Sequence, residues 1–200
     1  MSGYDLAQLE ELLYQMLETE LGGEQIYTMA VSCAVNEDLK EEWHEYLDET
    51  KRHQDTVLQL MGHFGLDPER QTPGRKVVAH IGQSLVKAME MAKKAGDPGA
   101  AQLVACECVV LAETKDHTNW ELLGRVAEKA KGADAKVLKS AHESVEKEED
   151  HHLYHNAGWC RELWIESLGM PAVLPPPEEK KQVETAIGAS RAEQQRDAML

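Results

Sequence analysis

The stretch from Asn36 to His53, N-E-D-L-K-E-E-W-H-E-Y-L-D-E-T-K-R-H, shows the pattern that decides the fold. Its apolar residues recur every three or four positions, which predicts an amphipathic α-helix. Asn36 is typical of a helix N-cap, and the two acids after it favour a helix N-terminus. Gly65 ends the predicted helix, and the apolar stripe comprises Leu39, Trp43, Tyr46, Thr50, His53, Val57, Leu60 and Phe64.

The same helical period appears on both sides of this stretch. We predict long helices over residues 5–34, 98–129 and 133–168, and a shorter one over 76–94. Short breaks follow the first and third long helices, which predicts two antiparallel hairpins. An all-α four-helix bundle with one long crossover containing a short fifth helix has ferritin-like connectivity. We therefore predict this bundle over residues 1–170, and a Pro-rich C-terminal spacer with a polar tail over residues 171–200.

Charge and composition exclude several classes of partner. The chain of 200 residues has a net charge of −15, which argues against binding to nucleic acids or to anionic lipid. An acidic surface suits a protein that attracts cations, although it is also typical of a well-solvated protein.

Targeting signals and cysteine spacing predict the compartment. The N-terminus has no basic segment followed by an apolar run, and no stretch approaches the roughly 20 apolar residues of a membrane span. The four cysteines have no C-x-x-C spacing and are interpreted as reduced thiols. We predict a cytoplasmic protein that does not engage membranes.

Ionisable residues interrupt all four long stripes near the middle of each predicted helix. They are Glu20 and Glu24, Glu49 and His53, Glu113 and His117, and Glu148, Glu149 and His152. Antiparallel helices of similar length meet at their midpoints, so these groups would converge at one level. Carboxylates buried together repel and are costly to desolvate, and a pair of metal ions removes that cost. For any single pair, an exposed salt link is the alternative interpretation.

The spacing within each pair narrows the choice of ligands. The Glu-x-x-His spacing of helical dimetal sites occurs at Glu149 and His152, and also at Glu148 and His151. In the second helix the residue three before His53 is Thr50, so Glu49, at a spacing of four, is the candidate carboxylate.

Three segments carry a resemblance to a known family. The Asn36–His53 stretch, the L-E-T-E segment ending at Glu20 and the E-S-V-E-K-E-E run from Glu143 to Glu149 resemble the YciE/YciF-type stress-response proteins, a branch of the ferritin-like superfamily. A-E-T-K-D-H, residues 112–117, stands where that family has His-Tyr-Glu in the third long helix. The resemblance implies a homodimeric domain with a dimetal centre.

Our leading hypothesis is a ferroxidase-type protein that binds two iron ions and reacts Fe(II) with dioxygen or peroxide, in stress or iron handling. Manganese and zinc are alternative metals. Glu20 and Glu113 would be terminal ligands, Glu49 and Glu148 would bridge, and His53 and His152 would each complete one metal. Glu149 competes with Glu148, and Glu24 and His117 are further candidates. The alternatives are a non-catalytic helical stress or assembly protein that acts through dimerisation or its tail, and a substrate-oxidising di-iron enzyme.

Overall fold

A computed structural model describes residues 3–200, and all the regular structure in that range is helical. The body is built from α1 (Leu6–Cys33), α2 (Glu37–His63), α3 (Pro73–Lys94), α4 (Pro98–Lys129) and α5 (Gly132–Ser167). The C-terminal segment adds α6 (Pro177–Lys180), α7 (Ala186–Gln194) and a 3₁₀ turn (Arg196–Met199). The predicted all-α class is confirmed. Across residues 3–200, none of the helices has the length and apolar character needed to cross a bilayer.

Side-chain caps set where the helices begin. The Asn36 carboxamide accepts a hydrogen bond from the Leu39 N–H at 3.0 Å, as the sequence predicts for α2. The helix α3 begins three residues earlier than its predicted start. There, Thr72 Oγ1 accepts from the Arg75 N–H at 3.1 Å, and Pro73 occupies the first helical position. Proline suits that position because its missing N–H would have no partner in the helix anyway.

The four long helices pack side by side as a bundle. The α1–α2 and α4–α5 hairpins are joined by contacts between α1 and α4 and between α2 and α5. The helix α3 lies against α1 and α4 and connects the two hairpins. Each hairpin therefore presents one face of both its helices to the other hairpin.

Two apolar clusters fill opposite ends of the bundle. One contains Trp43, Trp159, Ile26 and Val109, and the other contains Trp120, Leu13, Leu60 and Leu138. Between them every long helix contributes buried polar side chains instead, including Glu20, Thr50, His53, Glu113, Asp116, Glu149 and His152. Burial of so many ionisable groups at mid-height is costly unless something pairs them.

Charged contacts hold the C-terminal segment against α5. The Arg161 guanidinium donates two hydrogen bonds, at 2.8 and 2.9 Å, to the carboxylate of Glu178. Arg196 donates two more to Glu162, which also accepts from the Val173 N–H at 2.8 Å. Forked Arg–carboxylate pairs of this kind are directional as well as strong. The segment predicted as a spacer and polar tail thus lies on the bundle.

Candidate metal centre

Two groups of three buried side chains could each hold a metal ion, and the groups share Glu149. The first comprises His53 of α2 with Glu149 and His152 of α5, and the second comprises Glu20 of α1, Asp116 of α4 and Glu149. Within each group one ligand atom per residue lies within 4.8 Å of the others. All five side chains are buried. Residues from both hairpins therefore gather around the carboxylate of Glu149.

Within the part of the chain that the structure describes, six polar atoms at this level have no hydrogen-bond partner. They are Oε2 of Glu20, Oε2 of Glu113, Oδ1 of Asp116, Nδ1 of His53 and both carboxylate oxygens of Glu149. A buried polar atom without a partner costs about 1–3 kcal/mol, and more when it is charged. Oxygen and imidazole nitrogen atoms in one buried layer are the donors expected around a divalent transition metal ion. The residues present therefore fit a metal centre.

The approach of His53 to Glu149 carries a further indication. Nδ1 of His53 lies 2.9 Å from Oε1 of Glu149, yet the pair lacks the angles of a hydrogen bond. Two ligand atoms bound to one ion at about 2.1 Å and at a right angle would stand ~3 Å apart. The distance also fits a hydrogen bond, so it is the missing angle that leaves both atoms free to face a common ion.

The helices α2 and α5 each supply a carboxylate that orients the histidine of the other helix. Nε2 of His53 donates to Glu148 of α5 at 2.8 Å, and Nε2 of His152 donates to Glu49 of α2 at 2.8 Å. A neutral imidazole that donates through Nε2 keeps a free lone pair on Nδ1. In this neutral form both Nδ1 lone pairs would lie on the Glu149 side, where the two Nδ1 atoms are 2.9 and 3.7 Å from Oε1 of that residue.

Arg52 links the two outer carboxylates at the surface. Its guanidinium lies 3.1 Å from Glu148 and 3.4 Å from Glu49. The pKa of Glu148 falls to about 2, chiefly because of its hydrogen bond with His53 and further because of Arg52. Glu148 is therefore ionised at neutral pH and holds His53 as a charged acceptor.

Burial and mutual repulsion raise the pKa values of the inner acids. Burial, followed by the charges of Asp116 and Glu149, raises the pKa of Glu20 well above its usual value. Burial and then the Glu149 and Glu113 carboxylates raise the pKa of Asp116 in the same direction. Burial lowers the pKa of His53, but its contacts with Glu148 and Glu149 outweigh burial, so the net shift is upward. Without a metal, the layer therefore retains protons that a cation would displace.

Aromatic side chains enclose the layer. Nε1 of Trp120 donates to Oε1 of Glu20 at 2.9 Å, and its rings lie 6.0 Å from the His53 ring. The centroid of the Tyr46 ring lies 4.3 Å from that of the His152 ring, with the two planes tilted by 44°, and the fully buried Tyr27 ring lies 5.9 Å from the His152 ring. Burial, followed by the Glu113 carboxylate, raises the pKa of Tyr27, which keeps its hydroxyl protonated. The Tyr27 hydroxyl is therefore available as a donor at neutral pH.

The candidates from the sequence divide by position. Glu20, His53, Glu149 and His152 lie in the two groups, and Oε2 of Glu113 lies beside them, 3.6 Å from Nδ1 of His152. Four other candidates lie outside the groups. Glu49 and Glu148 contact the outer nitrogens of the two histidines. Glu24 accepts a hydrogen bond from Gln54, and His117 pairs with Asp150 at 2.9 Å. The carboxylate common to both groups is that of Glu149, whereas Glu49 and Glu148 belong to neither.

Asp116 is a site residue that the sequence analysis did not include. It follows Glu113 by three positions, the same spacing that relates His152 to Glu149, so a search for acid pairs at that spacing would have found it. The residue three before His53 in α2 is the buried Thr50, whose hydroxyl donates a hydrogen bond to the Tyr46 carbonyl at 2.8 Å. A Cβ atom added to Gly23 of α1 would lie 3.2 Å from the Thr50 methyl group. The helices α1 and α2 therefore approach each other closely at this level.

No family model matches the chain, and neither a curated protein nor a solved structure matches it.

Proposed function

We propose that the chain is a ferritin-like dimetal protein that reacts Fe(II) with dioxygen or peroxide. Glu20, Asp116 and Glu149 would hold one iron, and His53, His152 and the shared Glu149 the other. The observation that carries the proposal is the sharing of Glu149 between two buried ligand groups. This assigns to Glu149 the bridging role that spacing alone suggested for Glu49 and Glu148.

The donor set bears on the choice of metal. Carboxylate oxygens and imidazole nitrogens suit iron or manganese, and the buried groups contain no thiolate that would favour a softer ion. Two Fe(II) ions bound here would supply two electrons to dioxygen or peroxide. We take iron as the resident metal, with manganese and zinc as the alternatives.

The surrounding residues would position the ligands and hold protons. Glu49 and Glu148 fix the two imidazole rings, and the carboxylate–histidine contact increases the basicity of a ligating nitrogen. Trp120 holds one oxygen of Glu20 and leaves the other free of any hydrogen-bond partner. Because Glu20 and Asp116 have raised pKa values, these carboxyls would release protons when cations arrive and take them up when cations leave.

The family and the assembly belong to the same proposal. Four long helices with a crossover helix between the hairpins are compatible with ferritin-like connectivity, and a metal layer at mid-height agrees with it. The resemblance to the YciE/YciF-type proteins adds a homodimer acting in stress or iron handling. Light scattering on the purified protein would test the dimer independently of metal binding.

A cavity beside the centre supports a second candidate, a substrate-oxidising enzyme. The cavity is about 360 Å³ and lies between α4, α5 and the start of α7. Glu149 and Trp120 form part of its wall, together with His117, Asp150 and Tyr154. A cavity that reaches the shared carboxylate would admit a small oxidant, and it also has room for a small organic molecule. Product analysis with iron-loaded protein and an added reductant would separate oxidation of Fe(II) alone from oxidation of a substrate.

Anaerobic titration with Fe(II) tests the proposal. The parent protein should bind close to two ions per chain and should oxidise them rapidly when oxygen is admitted. Glu20→Gln should bind less, whereas Glu24→Gln, changed one turn further along α1 at a partly exposed acid, should behave like the parent. Binding of no iron by the folded parent would refute the dimetal proposal and favour a non-catalytic protein whose interior acids pair with its histidines.

A further inference from the structure

A second set of buried polar atoms without partners lies outside the metal centre. Among residues 3–200, these atoms are Nε2 of His151, Nε2 of His155 and Oε2 of Glu179. All three residues line one cavity of about 490 Å³ between α2, α5 and the segment around α6. Buried polar atoms are nearly always satisfied, so three such atoms around one cavity indicate a ligand that the protein alone does not provide.

The two histidines are spaced to act together. His151 and His155 lie one turn apart on α5, and their rings stack at 4.6 Å with an angle of 15° between them. The nearest carboxylate oxygen to Nε2 of His151, on Glu184, is 3.7 Å away, beyond hydrogen-bond range. Two histidines at this spacing on one helix face form a recurrent half of metal sites.

The ring of His155 is only 3% exposed and is fixed from its other side. Its Nδ1 lies 3.1 Å from the Tyr46 hydroxyl and 3.4 Å from Oε1 of Glu42. The Val183 carbonyl is also near the ring but does not meet hydrogen-bond geometry. A ring held through Nδ1 by a hydroxyl and a carboxylate, with Nε2 left over, has the arrangement that metal-ligating histidines show.

The charge of the cavity selects for cations. Besides Glu179, its wall includes the carboxylates of Asp38, Glu41, Glu42, Glu45 and Glu49, and no lysine or arginine. A concave surface lined by one sign of charge raises the local concentration of the opposite ion. An anionic ligand is disfavoured here, and a divalent cation is favoured.

We propose that His151, His155 and Glu179 form a separate site for a single divalent transition metal ion such as Zn(II). Two imidazoles and one carboxylate are a common ligand set for such an ion, with water completing the coordination. The three atoms are not already gathered as those of the centre are, and the two imidazole planes are nearly parallel, so the histidine rings would turn and the Glu179 carboxylate would adjust on binding. Because Glu179 belongs to α6, metal binding would tighten the C-terminal segment onto the bundle. This site goes beyond the dimetal proposal and does not depend on it.

Zinc titration of variants of the full chain tests the site. In a Glu149→Gln background, which removes the shared ligand of the centre, one Zn(II) should still bind. Adding His155→Gln or Glu179→Gln should weaken that binding at least tenfold. Adding His80→Gln, at an exposed histidine outside the cavity, should leave it unchanged. Equal zinc binding with and without His155→Gln would overturn the proposal, as would no binding in the Glu149→Gln protein.

The parent background provides a second measurement. If Glu149→Gln impairs folding, the parent chain should bind one more Zn(II) than its His155→Gln variant, and equal numbers would overturn the site. Zinc should also slow proteolysis within residues 181–200 of the parent but not of the His155→Gln protein. Failure of the dimetal proposal would appear differently, as equal stoichiometry in the parent and the Glu149→Gln protein.

Discussion

Glu49 and His152 stand 103 positions apart in the chain, yet Oε2 of Glu49 lies 2.8 Å from Nε2 of His152. The reciprocal contact joins Glu148 of α5 to His53 of α2 at the same distance. Each helix therefore orients the histidine of the other. Because the imidazoles are held from outside, their inner nitrogens stay directed toward Glu149 without any metal.

Removing Glu49 should weaken metal binding without reducing the number of ions bound. Glu49→Ala frees the His152 ring, and loss of such a supporting carboxylate lowers metal affinity by roughly 10–100-fold. Competition titration with a chelator of known affinity measures the change. Asp55→Ala, at an exposed acid of α2 that lies outside the metal centre and outside the cavity beside His155, is the control. Loss of a whole ion in Glu49→Ala would make Glu49 a ligand, as its spacing from His53 suggests.

Glu149→Gln should have opposite effects in the two metal states. In chelated protein, removing this charge relieves the repulsion that raises the pKa values of Glu20 and Asp116. Stability should rise by about 1 kcal/mol, or ~2–4 °C in Tm for a chain of this size. With metal, the parent should gain ~4 kcal/mol when free metal is 1,000 times its Kd, and the variant should gain far less. Calorimetry of both proteins, chelated and loaded, measures this; a destabilised chelated variant would contradict it.

Trp120 should report metal binding through its fluorescence. Its indole N–H contacts Glu20 and its rings lie 6.0 Å from the His53 ring, so an open-shell ion held by these ligands would quench its emission. Anaerobic Fe(II) should quench the parent more than the Trp120→Phe protein. Trp43→Phe, at a buried indole that donates to Asn156 instead, should keep the full response. Equal quenching in the parent and the Trp120→Phe protein would place the ion elsewhere.

The attachment of the C-terminal segment to the bundle should weaken as the pH rises from about 5 to about 8. Burial, followed by the charge of Glu42, raises the pKa of Glu179 from its usual 4.5 to about 8. A carboxyl with a raised folded-state pKa contributes its stability fully below the unfolded pKa and loses it as the pH rises through the folded value. In chelated protein, proteolysis within residues 181–200 should therefore accelerate between about pH 5 and pH 8 and level off above that range. Glu179→Gln, which cannot ionise, should flatten the profile; an unchanged profile would contradict this explanation.

Periodicity predicted the helices and the level of the polar layer well. The stripes place Glu20, His53 and His152 inside because a helix turns 100° per residue and these residues fall on the apolar arc. The same rotation per residue explains why the sequence could not decide between Glu148 and Glu149. Glu148 and Glu149 are neighbours near the edge of one arc, and only the rotation of α5 against α2 and α4 decides that Glu149 is the buried one. Such a rotation is set by packing between helices.

The pattern of a single helix could not predict that a carboxylate missing from one helix is supplied by another. Thr50 stands where a second Glu-x-x-His motif would need its acid, and Asp116 on α4 supplies a carboxylate to the same layer. The docking of the C-terminal segment on the bundle could not be predicted for a similar reason. Two ion pairs attach it, Arg161 with Glu178 and Glu162 with Arg196. The partners are 17 and 34 positions apart, so the helical periodicity of the sequence does not reveal them.

The sharing of Glu149 also orders events while the chain is being made. The first hairpin contains Glu20 and His53, but each ligand group also needs residues of α5, which is synthesised more than 90 positions later than His53. An unfinished chain on the ribosome therefore has neither ligand group complete. Under the dimetal proposal, metal loading would follow the emergence and docking of the last long helix, and a truncated chain would not withdraw metal from its surroundings.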